Sequence, residues 1–91
     1  MRRVHVLVRG DVQGVGYRFT MQSVARDSDV TGWVRNRRDG TVEAEVQGDS
    51  QHVDRVLEWM SVGPPTGHVE SVTVTDVEPF DESGFRLVAT V

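Results

Sequence analysis

Residues 10–19, GDVQGVGYRF, set three glycines and one arginine between a valine-rich run and a segment with helical spacing. Gly14 and Gly16 let the backbone turn with positive φ and leave amide N–H groups unshielded. Consecutive amides in such a turn form a concave anion nest around Gly14, Val15, Gly16, Tyr17 and Arg18, and a helix start adds partial positive charge. Arg18 contributes a planar, permanently charged fork that fits phosphate oxygens. Asn36, the only asparagine in the chain, can donate and accept at once, so it can hold and aim a water. Together these residues describe a phosphate pocket with an oriented water. Each also has a plain structural reading: the glycines as a simple turn, Arg18 as a surface side chain, Asn36 as a turn residue. The loop is not a Walker loop, since no Lys-Ser/Thr follows, and it lacks the third glycine of a dinucleotide fingerprint. Arg18 in a first helical turn opposes the helix dipole, which favours acids there, and a bound anion would relieve that mismatch.

The elements that must position these residues are readable from periodicity. In RRVHVLVR, Val4, Val6 and Val8 alternate with Arg3, His5 and Arg9, the pattern of a half-buried strand. Tyr17, Met21, Val24 and Ala25 predict a helix over 17–28. A second strand is expected over 30–36, a hairpin turn at Arg37-Arg38-Asp39-Gly40, and a third strand over 41–48 with Glu43, Glu45 and Gln47 on a wet face. Arg35, Arg37 and Arg38 read as a solvated hairpin tip, and Trp33 as core or sheet face. Ser50 is placed as the cap of a second helix carrying Val53, Val56, Leu57 and Met60, ended by Gly63-Pro64-Pro65. Strands over 68–79 and 84–91 complete the chain.

The order βαββαβ plus a short fifth strand predicts an α+β, ferredoxin-like split βαβ fold, with two helices on one face of a mostly antiparallel sheet. If the first strand runs up, its helix returns down and the second strand also runs up. Arg18 and Asn36, 18 positions apart, are then expected at one end of the molecule.

Composition narrows the chemistry. Ninety-one residues are expected to form one domain, 1–91. Cysteine is absent, which excludes disulfides, thiol catalysis and cysteine-held metals. His5, His52 and His68 fall on three separate elements without metal-ligand spacing. A net charge of −4 argues against a nucleic-acid partner. So does the lack of aromatics on strands one and three, where an RNA-recognition surface would carry them. No apolar run approaches the ~20 residues of a membrane span, and nothing at the N-terminus has the pattern of a signal peptide. Lysine and isoleucine are missing altogether, which reads as biased codon usage.

VRGDVQGVGYR (8–18) and GWVRNRRDGTVEAEVQG (32–48) resemble the two signature segments of acylphosphatases, and the likeness extends over nearly the whole chain. The first segment matches at Val8, Gly10, Val12, Gln13, Gly14, Val15, Tyr17 and Arg18. The second matches at Gly32, Trp33, Val34, Asn36, Gly40, Val42 and Gly48. The resemblance implies hydrolysis of acyl phosphates to a carboxylate and inorganic phosphate. Arg18 matches the family's phosphate-binding arginine, the amides of residues 14–18 its phosphate cradle, and Asn36 the asparagine that positions the attacking water. It further implies a cofactor-free, cytoplasmic enzyme with a fifth strand beside the second; inorganic phosphate or sulfate is expected to compete, since the loop amides and Arg18 would bind an oxyanion rather than the acyl portion, and a monomer is the default expectation. The family usually has glycine at the end of the first helix, where this chain reads Ser28-Asp29. A pocket that senses phosphate without turnover stays open on the residues alone.

Overall fold

The computed structural model describes residues 1–91. Five strands and two helices follow in the order β1 (Arg2–Asp11), α1 (Tyr17–Asp27), β2 (Thr31–Asn36), β3 (Val42–Gly48), α2 (Ser50–Val62), β4 (His68–Val77) and β5 (Phe85–Leu87). The strands form one sheet in the order β4-β1-β3-β2-β5. All neighbours are antiparallel except β2 and β5, which run parallel. The expected ferredoxin-like plan is therefore present, with the fifth strand beside the second.

Alternation on β1 and β3 turns Val4, Val6, Val8, Val42, Ala44 and Val46 to one face, all fully buried. The apolar stripes of the helices close that face: Tyr17, Met21 and Ala25 from α1, and Val53, Val56 and Met60 from α2. The Tyr17 ring meets Trp59 at 5.0 Å between centroids, and its hydroxyl donates to the Met60 carbonyl at 2.8 Å. That carbonyl lies in the last turn of α2, where helix geometry supplies no partner. The Tyr17 side chain thus joins the start of one helix to the end of the other, and burial pushes its hydroxyl well above the usual phenol range.

The end of α1 shows why Asp29 is tolerated. Val30 N–H donates to the Ala25 carbonyl and Asp29 N–H to that of Arg26, the paired bonds of a Schellman turn. The motif needs a left-handed residue, and Asp29 takes that position with φ 57°, the only non-glycine with positive φ. Aspartate accepts this conformation at a modest steric cost.

Four expectations need correction. The cap of α2 is Asp49, one residue before Ser50, and its side chain makes no capping bond. Strand β4 ends at Val77 rather than 79. Strand β5 spans only Phe85–Leu87; the following residues hug β2 through single bonds, Val88 N–H to Val34 and Val91 N–H to Asn36. The polar face of β3 is not wet. Glu43 is 7% exposed and receives His5 Nε2 and Arg35 Nε, each at 2.7 Å, with Arg37 Nη1 at 3.4 Å. Glu45 takes Arg3 Nε at 2.6 Å, while Arg3 also reaches Glu82 and Gln47 and lies 4.0 Å from the Phe80 ring centroid. Opposite charges on three adjacent strands neutralise one another, and the segment after β4 covers one end of the array. Arg35 and Arg37 are consequently half-buried members of this network, and only Arg38 is an exposed tip. Trp33 lies on the same outer face, 4.7 Å beneath the Arg35 guanidinium.

Candidate active site

Val8 pairs with Val42, which on its other side pairs with Asn36. This register places Asn36 in the row of β1 that leads directly into the glycine loop. The strand-direction argument therefore holds: the end of β2 and the start of α1 share one edge of the sheet. Asn36 lies two residues beyond the fully buried Val34 and so on the same, helix-bearing face. Its Oδ1 is buried and has no hydrogen-bond partner within the chain, an acceptor that folding removes from bulk solvent yet leaves open to a donor.

The loop before α1 has the conformation its glycines permit. Gly14 and Gly16 have φ of 73° and 82°, values that only glycine adopts freely. A methyl group at either would meet nothing within 4 Å, so the requirement is conformational, and it keeps this side of the loop open to a ligand. Gly16 is also the N-cap of α1. It supplies no side-chain cap, and no acidic residue stands in the first turn. The amides of Gln13, Gly14, Val15 and Gly16 donate no backbone hydrogen bond. Those of Tyr17, Arg18 and Phe19 begin the helix, where no intrahelical acceptor exists. The result is a run of free donors at the positive end of a helix dipole.

The one cavity of the molecule, about 250 Å³, is lined by Val12, Gly14, Gly16, Tyr17, Arg18 and Phe19. Arg18 is half-buried and makes no ion pair; Arg9, Arg26, Arg38 and Arg55 make none either, but Arg18 is the arginine that lines the cavity. Of the residues singled out in the sequence, Gly14, Gly16, Tyr17 and Arg18 thus share the cavity. Val15 packs against the core instead, and its carbonyl accepts the Thr66 hydroxyl at 2.7 Å. Asn36 stands outside the lining, on the neighbouring strand end.

What joins the two halves is a residue whose role the sequence does not reveal. Gln13 Nε2 donates to the Arg37 carbonyl at 2.7 Å and to the Thr41 carbonyl at 2.8 Å. It fastens the glycine loop to the β2–β3 hairpin that follows Asn36. The hairpin is itself held by Asp39, whose Oδ1 accepts the Thr41 amide and hydroxyl. Those two bonds, with Arg37 and Arg9 nearby, hold the Asp39 carboxyl below its usual range. No group of three or more His, Asp or Glu side chains is arranged to hold a metal, and no helix is long and apolar enough to cross a membrane.

Comparison with known proteins identifies the family. The family model for acylphosphatase matches residues 4–87. An acylphosphatase of Thermococcus kodakarensis is 45% identical over 86 residues, covering 94% of each chain. One from Bordetella bronchiseptica is 53% identical over 86 residues, 94% of this chain and 89% of that one. The crystal structure of an acylphosphatase from Bacillus subtilis superposes with a TM-score of 0.92 at 32% identity, covering 97% of this chain and 99% of the other. Its fold, its near-complete span and its signature segments make this chain a member of the acylphosphatase family.

Proposed function

We propose that the chain hydrolyses acyl phosphates, R–CO–O–PO₃²⁻, with water attacking phosphorus and the carboxylate R–COO⁻ departing. The observation that carries this reading is the convergence on one cavity of an unpaired arginine and an uncapped helix start. Phosphoryl oxygens are received by the amides of residues 14–18 and by the Arg18 fork, which act on charge that redistributes over those oxygens as the bond to the leaving group breaks. Asn36, with its open acceptor on the same sheet edge, orients the attacking water. The leaving group has a conjugate acid with a pKa of about 4, near that of Asp or Glu, so it departs without protonation. The proton lost by the water goes to a phosphate oxygen of the substrate, and no histidine, thiol or metal takes part. This chemistry suits a labile anhydride and not a stable phosphate monoester. Operation as a cytoplasmic monomer that treats inorganic phosphate and sulfate as competing anions belongs to the same proposal.

The test is phosphate release from benzoyl phosphate, with inorganic phosphate as inhibitor, for the parent chain, Arg18→Ala and Asn36→Ala. Arg18→Ala weakens phosphate binding by roughly 1.5–3 kcal/mol, the scale of a charge-assisted hydrogen bond, and lowers turnover further. Asn36→Ala leaves phosphate affinity within a few-fold while turnover falls about 10²-fold or more. Phosphate binding without any turnover by the parent would instead mark a phosphate sensor. Normal turnover by Asn36→Ala would remove its assigned role.

A further inference from the structure

Phe19 is 68% exposed in the first turn of α1, one residue after Arg18. Folding gives no account of it. It belongs neither to the buried core nor to the half-buried side chains packed against that core. The other exposed large apolar residues have structural explanations. Phe80 stacks on buried Arg3, Val74 lies on an edge strand, Val62 ends α2, and Met1 and Val91 are terminal. Of these exposed apolar residues, Phe19 alone lines the cavity. Two other apolar liners, Val12 and Tyr17, are 1% exposed and form its floor.

The ring stands beside the arginine of the proposed phosphate site. Side chains on a helix lean toward its N-terminus, so Phe19 overhangs the glycine loop. Its ring centroid is 5.9 Å from the Arg18 guanidinium carbon. Resting on the phosphate site proposed above, we infer that Phe19 is the surface against which the acyl portion of the substrate lies, which selects acyl phosphates with flat aromatic or extended apolar acyl groups over acetyl phosphate. An acyl group is joined to phosphorus through a single oxygen, so phosphate held by Arg18 and the loop amides leaves the acyl carbon beside this ring. An aromatic acyl group covers the ring and removes apolar surface from water on both sides. A two-carbon acyl group covers little of it.

Measuring kcat/KM for benzoyl and acetyl phosphate with the parent, Phe19→Ala and Phe19→Leu tests the inference. Each variant is compared with the parent on the same substrate, so the different intrinsic lability of the two anhydrides cancels. Phe19→Ala is expected to lose about tenfold more on benzoyl than on acetyl phosphate. Phe19→Leu, apolar but without a ring, falls between. The inhibition constant of inorganic phosphate changes less than kcat/KM for benzoyl phosphate, because phosphate carries no acyl group to cover the ring. Equal losses on both substrates, or none on either, overturn the assignment while leaving acyl phosphate hydrolysis intact. Failure of the parent to hydrolyse either compound overturns the hydrolytic reading and this inference with it.

Discussion

Replacing Gln13 by leucine removes the side-chain link between the phosphate loop and the hairpin that follows Asn36. The structure sets the size of the effect. Gln13 donates two hydrogen bonds, to the carbonyls of Arg37 and Thr41. Neither carbonyl is orphaned by the change, since Arg37 O still accepts from Gly40 N–H and Thr41 O from Arg37 N–H. The loss is therefore two ordinary bonds of about 1 kcal/mol each, or ~2 kcal/mol of unfolding free energy, not the larger penalty of stranded acceptors. The catalytic effect is separable from this. In the proposed mechanism phosphate is held on the loop side, by the amides of residues 14–18 and Arg18, and Asn36 lies across the removed link. Phosphate affinity should stay within about threefold while kcat falls by about ten- to a hundredfold, the cost of slight misplacement between reacting groups. Urea unfolding, benzoyl phosphate turnover and phosphate inhibition measure the three quantities. In the double variant with Asn36→Ala, the Gln13 change should add little, because it acts through the residue already removed. Phosphate affinity falling in step with kcat, or full additivity in the double variant, would refute the argument that Gln13 is a positioning residue for Asn36.

Asp29→Gly should stabilise the chain by ~0.5–1 kcal/mol, the relief of the left-handed strain less the added freedom of the unfolded chain; unchanged or lower stability in urea, or an altered turnover, would count against it. Burial pushes the Glu43 carboxyl up, but hydrogen bonds from His5 and Arg35 outweigh it and hold the group below the usual carboxylate range. A depressed folded-state value means that the stabilisation is complete above about pH 4–5 and is lost as pH falls through the folded value. Glu43→Gln should flatten that acid limb in urea midpoints measured against pH, and an identical limb in the variant would exonerate Glu43. Turnover should survive excess EDTA, since the proposed phosphate site is built of amides and an arginine; loss of activity that zinc or magnesium restores would contradict the mechanism.

The parts of the fold carried by local pattern were legible in the sequence. Alternating valines marked β1 and β3, the Val53–Met60 stripe marked α2, and strand direction alone brought Arg18 and Asn36 to one edge. Physical reasons explain what was not. Alternation reports polarity and not exposure, so Glu43 and Glu45 read as wet although arginines on β1 and β2 enclose them. Gln13 bonds backbone carbonyls 24 and 28 positions away, and backbone acceptors leave no trace in residue identity. Phe19 stands out only in three dimensions, where the core closes without it.

Four side-chain bonds hold the glycine loop: two from Gln13 to the hairpin, one from Tyr17 to the end of α2, and one from Thr66 to Val15. Their partners lie 24 to 51 positions away along the chain, and β1, which delivers the loop, is flanked by β3 and β4. No local fragment can therefore hold the pocket in shape, because closing such long loops yields nothing until the distant contacts form together. Catalytic competence becomes a property of the finished topology: a chain whose helices have formed but whose β4 has not docked would carry both signature segments and still have no site.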